Sequence, residues 1–217
     1  MPRKNLLPLR GKPLIAHTIE QAKHSRLVSR TIVSTDDDEI ADVARQYGSE
    51  VIKRPPELSG DTASSEAALI HVVDWLAEKE KYEPDILVFL QCTSPIRKES
   101  DIDNAIGVFL ENHADSLFSA CRFNKYIWQV RNGEASPINY DYRHRWREQD
   151  FSHQVLENGS IFVFKTSILK ELNNRLGGKI VVYEMDELSS IQIDSDEDIL
   201  LCNCIMDVRE KWCGHVF

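Results

Sequence analysis

The chain has 217 residues, 42% hydrophobic and 28% charged, which excludes a wholly disordered polymer and fits one α/β domain with an excursion. Asp plus Glu number 35 against 26 Lys plus Arg, a net charge of −9, the reverse of the balance a general nucleic-acid binder shows. A small phosphorylated ligand held by a local basic cluster or a metal stays open, whereas a bilayer span of roughly 18 apolar residues is nowhere present and no secretory leader is expected.

Apolar runs alternate with helical periodicity along the chain. Pro13–Ser25 reads as a helix with proline in its first turn. Arg30–Ser34 reads as a short buried strand. Asp37–Tyr47 follows as a helix, with Asp36 as its cap, Glu39 three residues later and Gly48 as the residue that ends it. Glu50–Ile52 is a strand, and Ser64–Glu80 carries an apolar helical stripe at Ala68, Leu69, Val72, Val73 and Leu76. Ile86–Gln91 is the most hydrophobic strand; Glu99–Asn112 is a helix and Ser116–Ala120 a strand. The later strands are Ile161–Phe164, Lys179–Tyr183 and Ser190–Ile193, and the later helices Thr166–Asn174 and Asp196–Arg209. Such alternation predicts a mainly parallel sheet covered on both faces, with ligands beyond the carboxyl ends of its strands. Residues 122–154 break the pattern. They gather Trp128, Tyr140, Tyr142, Trp146 and Phe151 with Arg131, Arg143, Arg145 and Arg147, the composition of an inserted arm or lid too apolar to stay bare in water.

Several segments carry candidate chemistry. Lys4 and Asn5 precede a Gly-Lys-Pro turn and a helix, where an ammonium and an amide can meet a phosphate; a solvated basic end is the plainer reading. The acids of Ser34–Glu39 favour a helix dipole more readily than they hold a cation. The polar loop Arg54–Ser65 ends in hydroxyls at a helix start, where they either grip a ligand or cap the helix. Gln91 closes the most hydrophobic strand, so its carboxamide faces the expected crevice. Asp194–Asp198 has the D-x-D-x-D start of an EF-hand, but Ile199 and Ile205 stand where its glycine and bidentate glutamate belong, which rules it out. Asp194 remains as a Mg²⁺ ligand and Asp196–Asp198 as helix caps. The five cysteines (Cys92, Cys121, Cys202, Cys204, Cys213) match no zinc spacing and read as reduced, structural and cytoplasmic. The seven histidines show no metal spacing either; His144 and His153 fall in the arm.

These stretches, PRKNLLPLRGKPLIAHTIE, IVSTDDDEIADVARQYG, RPPELSGDTASS, LQCTSPIR, the pair RWREQDF and ENGSIFVF, GGKIVVYEM and SIQIDSDEDI, resemble in order the acylneuraminate cytidylyltransferases, the CMP-sialic acid synthetases. The resemblance runs from Pro2 to about Ile199. It implies a Rossmann-like three-layer α/β/α nucleotidyltransferase domain spanning the whole chain, 1–217, with residues 122–154 as a dimerisation arm. It also implies a cytoplasmic homodimer, serving cell-surface polysaccharide synthesis, that binds neither nucleic acid nor membrane. The implied reaction is attack of the anomeric hydroxyl of a nonulosonic acid on the α-phosphorus of CTP, releasing pyrophosphate with Mg²⁺ assisting. By position, the resemblance assigns Lys4 to phosphate and Asn5 to the cytidine moiety. It assigns Arg54 and Ser65 to the nucleotide, Gln91 to the sugar and ribose, and Arg145 to the arm motif. Arg147 and Gln149 beside it become sugar contacts, Lys4, Gln91 and Arg145 the catalytic set, and Asp194 with Gln192 the metal ligands.

Two departures shape the expectation. The family's Asp-Ile-Asp metal motif reads Gln192-Ile193-Asp194 here, so one anionic ligand is replaced by a neutral amide and weaker metal binding is expected. The family also places a buried strand and a Gly/Arg-rich phosphate loop before the Lys-Asn pair, whereas Met1 directly precedes Pro2-Arg3-Lys4-Asn5. The expectation is a chain shortened at that end, with little or no cytidylyl transfer. A non-catalytic nucleotide-binding or dimerising homologue and a metal-dependent glycosyltransferase are the rival readings.

Overall fold

The computed structural model describes residues 3–60, 63–145, 147 and 153–212. After a 3₁₀ turn at Lys4–Leu6, a small hairpin pairs β1 (Pro8–Leu9) with β2 (Lys12–Pro13). Arg10 and Gly11 form its two-residue turn, both at positive φ (49° and 76°), the twist such hairpins require. Helix α1 (Leu14–His24) follows, then β3 (Ile32–Thr35), α2 (Asp38–Gln46), β4 (Glu50–Lys53), α3 (Ser65–Glu80) and β5 (Ile86–Leu90). The cap of α2 is Asp37 rather than Asp36: its Oδ1 accepts from the amides of Glu39 at 2.8 Å and Ile40 at 3.1 Å. The correction is one residue of register, because the extended residue before the helix is the one whose carboxylate reaches the orphan N–H groups.

The second half runs α4 (Asp101–Glu111), β6 (Ser116–Arg122), β7 (Trp128–Arg131), β8 (Glu134–Pro137), β9 (Val155–Lys165), α5 (Thr166–Leu172), β10 (Ile180–Met185) and α6 (Asp196–Trp212). Four strands form a sheet in the order β10–β6–β9–β5, in which β9 is antiparallel to β5 and β6 while β10 is parallel to β6. Three of its four strands therefore share one direction, and β3 and β4 form a separate parallel pair. Among the described residues no ladder joins β3 to β5, so each presents an edge without a strand partner. Ser190–Ile193 is not a strand: a 3₁₀ turn at Glu187–Ser190 leads into an irregular segment tied to the loop after β5 by a 2.8 Å bond from Ile193 N to Thr93 O.

The period-2 alternation of β9 builds the layers. Ile161 and Val163 face α4 through Ile102, Ala105, Ile106 and Phe109, while Phe162 and Phe164 face α3 and α5 through Val73 and Leu169. A third cluster packs α1 and α2 on β3 and β4 through Ile15, Ile19 and Ala44. A fourth packs α6 on β1 through Cys202, Ile205 and Leu9. The result is the α/β/α arrangement expected from the sequence. No helix among the described residues is long and apolar enough to cross a membrane.

Candidate active site

The carboxyl end of β5 opens into a polar junction built by β9. The ladder's last pair is Leu90 with Ile161, and beyond it Gln91 N still reaches Ser160 O at 3.3 Å. Gly159 then turns the strand at φ +61°, a conformation that penalises any β-carbon. The space a β-carbon would take is already used, since it would stand 2.6 Å from Gln91 Oε1 and 3.0 Å from Gln192 Nε2. Two carboxamides thus converge over one glycine.

Asn158 holds this floor from below. It is fully buried; its Oδ1 accepts from Ser119 Oγ at 2.6 Å and from Ser160 N at 3.2 Å. Its backbone oxygen accepts from Ser94 Oγ and from Gln192 Nε2, both at 3.1 Å. A buried network with its members paired is rigid, because each lost bond leaves a desolvated polar group behind.

The same junction collects the N-terminal turn. Lys4 Nζ donates to Asp194 Oδ1 at 2.8 Å and to Ile193 O at 2.9 Å. Arg3 pairs with Asp37 at 3.3 Å and Glu39 at 2.6 Å, just after β3, so the ends of β3 and of the Gln192–Asp194 segment lie on either side of that turn. Asn5 is the next residue of the same turn. Asp194 is itself mostly exposed (73%), so its ion pair with Lys4 contributes little to stability and is readily exchanged. The cap of α6 is Ser195 rather than the run Asp196–Asp198, of which Asp198 alone takes part: its Oδ2 accepts from the amides of Asp194 (2.9 Å) and Ser195 (2.8 Å), and Ser195 Oγ accepts from Asp198 N at 3.3 Å, a reciprocal capping box. Those amide donors, the Asp194 amide foremost, hold the Asp198 carboxyl below the usual carboxylate range.

Arg54 sits just past β4. Its Nη2 donates to Ser34 O at 2.6 Å and its amide to Thr35 O at 2.9 Å. Its Nε and the Ser34 Oγ are both buried without a protein partner. Ser65 opens α3, but Ser64 makes the cap by accepting from Ala67 N at 3.1 Å, which leaves the Ser65 hydroxyl outside the capping role. In the arm, Arg145 stacks over the Tyr126 ring at 4.6 Å, and Arg147 is exposed. Gln149 lies outside the described residues.

The structure therefore brings Lys4, Gln91, Gln192 and Asp194 together at one junction, with Asn5 adjoining. Among the described residues no hydrogen bond or ion pair links Arg54, Ser65 or Arg145 to it. Sequence reasoning missed Asn158 and Gly159. The available signal was a glycine inside an otherwise continuous strand, which marks close approach of other groups.

For a divalent metal, the donor set is one carboxylate, Asp194, and one amide, Gln192, whose nitrogen is committed to Asn158 O and whose oxygen is left as acceptor. Among the described residues no three His, Cys, Asp or Glu side chains converge on a metal position. This set does not make a protein cage. It does fit Mg²⁺ shared with substrate phosphates, an ion that usually takes one or two carboxylates and fills its remaining positions with phosphate and water.

Comparison with known proteins adds the following. A family model described as cytidylyltransferase matches residues 1–199. The chain is 34% identical over 204 residues to N-acylneuraminate cytidylyltransferase A of Danio rerio, covering 91% of this chain and 46% of that protein. It is 33% identical over 171 residues to the pseudaminic acid cytidylyltransferase of Campylobacter jejuni subsp. jejuni, covering 77% and 73%. It is 30% identical over 214 residues to the post-translational flagellin modification protein B of Campylobacter coli, covering 96% and 89%. The chain spans about half the length of the Danio rerio and Oncorhynchus mykiss relatives (46% and 45%). Among solved structures, CMP:2-keto-3-deoxy-manno-octonic acid synthetase complexed with CTP superposes with a TM-score of 0.68 at 18% identity, over 100% of this chain and 94% of that one. The 4-diphosphocytidyl-2C-methyl-D-erythritol synthase of Anaerococcus prevotii gives 0.65 at 12%, over 94% and 93%. At those identities the likeness shows a shared fold.

Proposed function

Since the chain belongs to the cytidylyltransferase family, we propose that it serves transfer of CMP from CTP to the anomeric hydroxyl of a sialic-acid-like nonulosonic acid, with release of pyrophosphate. The observation that carries this reading is the junction itself, where an ammonium, two carboxamides and a carboxylate meet at the carboxyl end of β5. The relatives named for N-acylneuraminate and pseudaminic acid favour a nine-carbon acid as acceptor.

Phosphoryl-type transfer asks the protein mainly to align the reactants and neutralise charge. Lys4 supplies a mobile cation to the triphosphate once it leaves Asp194. Gln91, oriented over Gly159, hydrogen-bonds acceptor and ribose hydroxyls. Arg54, with its unsatisfied Nε, and Ser65 contact the nucleotide, with Asn5 on the cytidine side. Arg145 and Arg147 are suited to the acceptor's carboxylate through bidentate contacts, with Gln149 beside them. Asp194 and the Gln192 oxygen would hold Mg²⁺, which when bound neutralises phosphate charge. The arm exposes Trp128, Val130, Ile138 and Tyr142, which supports a homodimer closed through it, and the free cysteines support a cytoplasmic setting.

The test is pyrophosphate release from CTP with a panel of free nonulosonic acids, on this chain and on one extended upstream of Met1. Release that requires both substrates, yields a CMP-acid and falls in Asp194→Asn supports the reading. CTP binding without release in either form supports the non-catalytic homologue. Transfer only from a preformed sugar nucleotide supports the glycosyltransferase.

A further inference from the structure

Arg97 is a buried cation whose guanidinium hydrogen-bonds no acid, although the buried Asp101 carboxylate acts on it through space. It lies in the loop between β5 and α4 and is 7% exposed, and among the described residues it makes no ion pair. Its partners are neutral oxygens. Nη2 donates to Gln91 O at 2.8 Å and Ser160 O at 2.9 Å; Nη1 donates to Gln21 Oε1 at 2.8 Å and Thr18 Oγ1 at 3.2 Å. Gln21 closes the loop by donating its Nε2 to Pro95 O at 3.0 Å. Nε is buried and unpartnered.

Burying a charge is costly even with the Asp101 carboxylate near enough to offset part of the desolvation, so a position needing only volume is better served by an apolar side chain. Desolvation pulls the guanidinium down to about 10, which leaves it charged at neutral pH. What the fork does here is geometric. It grips the two carbonyls that flank the place where the β5–β9 ladder ends, one belonging to Gln91 and the other next to Gly159. It anchors both to α1 through Thr18 and Gln21. Only a planar guanidinium spans two carbonyls and a helix at once; an ammonium is a point donor.

We propose that Arg97 is a positioning residue: by clamping Gln91 O to Ser160 O and both to α1, it fixes the Gln91 carboxamide over Gly159 and so shapes the sugar and ribose subsite. This rests on the reading of Gln91 given above, and its test separates the two. The first readout needs no substrate. Side-chain amide resonances of Gln91, assigned by Gln91→Ala, should be dispersed and protected in the parent protein and collapse toward free-glutamine values in Arg97→Lys, while far-UV circular dichroism is unchanged. Should Arg97→Lys fail to fold, Gln21→Ala loosens the fork from α1 without removing the buried charge and should broaden the same resonances. Unchanged Gln91 resonances in the folded variant would overturn the proposal, whatever the activity.

The second readout uses the form that turns over. Arg97→Lys should lower kcat/KM for the acid about 10- to 100-fold, the scale of a small misplacement of a binding group, and should weaken CTP binding by calorimetry by the smaller factor that one ribose contact carries. In Gln91→Ala it should cost almost nothing further, because the clamp has lost what it positions. Full multiplication of the two losses would overturn the proposal. A collapsed Gln91 signal with no turnover in any form keeps the positioning role and sinks only the cytidylyl-transfer reading.

Discussion

The junction at the end of β5 and the arm between β6 and β9 are both rich in polar and aromatic groups, yet different forces hold them. At the junction, Asn158, Ser160 and Ser119 are within 1% of complete burial, and the Asn158 Oδ1 fixes them by accepting from Ser119 Oγ and the Ser160 amide. In the arm, the β7–β8 ladder leaves Val130 70% exposed, Asn139 ties the hairpin's base by accepting from Ile127 N and donating to Lys125 O and Gln154 Oε1, and the outer surface is ordered by rings: Tyr126 and Tyr140 at 4.3 Å, Trp128 against Tyr140 and Tyr142 at about 6 Å, with Arg143 and Arg145 over tyrosine faces. The first arrangement specifies one geometry, because any slip leaves buried groups unpaired. The second is a surface suited to re-packing against a partner, since stacked rings and guanidinium planes tolerate sliding.

The contrast predicts a steep gradient in sensitivity. Phe164→Ala, which empties a fully buried site under α3 and α5, should destabilise by about 3–5 kcal/mol in denaturant unfolding. A shift below 1 kcal/mol would mean that the β9 face collapses freely. Gly159→Ala should destabilise by roughly 1–2 kcal/mol from its left-handed backbone alone. It should also displace the Gln91 carboxamide and depress kcat/KM by about 100-fold in the form that turns over. Near-parental kinetics in Gly159→Ala would show that the two carboxamides need no shared seat.

On the arm, Val130→Ala should change unfolding free energy by less than about 0.5 kcal/mol. The same substitution should weaken self-association in sedimentation if the arm closes a dimer; an unaltered monomer–dimer balance would remove the arm from that role. The smallest effect is electrostatic. The Asp198 carboxyl is held below its ordinary value of 3.8 by the Asp194 amide and then by Ser195. Its support for the α6 start is therefore complete above that pH and is lost as pH falls through the lowered value. Amide protection at Asp194 and Ser195 should fall in that acid window, and in Asp198→Asn it should already be low at neutral pH.

Much of this was legible in the sequence for local reasons. The apolar run Ile86–Leu90, the stripe of α3 and the start of α2, whose cap the sequence places one residue early at Asp36, depend on residues close in the chain, so their periodicity and offsets reveal them. The Lys4–Asp194 encounter was legible only as a resemblance. Its two ends are 190 residues apart, and no periodicity speaks across that distance. Gln192 illustrates the limit best. From the chain it reads as an acid replaced by an amide, whereas in the fold its nitrogen is spent on Asn158 O beside Gly159, a structural bond that an aspartate, lacking a donor when ionised, does not make.

By itself, the sequence determined the main helices and sheet strands, the layered class and, by resemblance, the family, because hydrophobic period, caps and short motifs are local properties of the chain; it did not reveal the β1–β2 and β7–β8 hairpins or the irregular course of Ser190–Ile193. Only the tertiary structure decided that β9 runs against its neighbours, that Asn158 and Gly159 form the floor of the site, and that Arg97 binds carbonyls rather than an acid. Those outcomes follow from which buried polar groups must find partners once the sheet closes, a condition that exists only when distant segments meet.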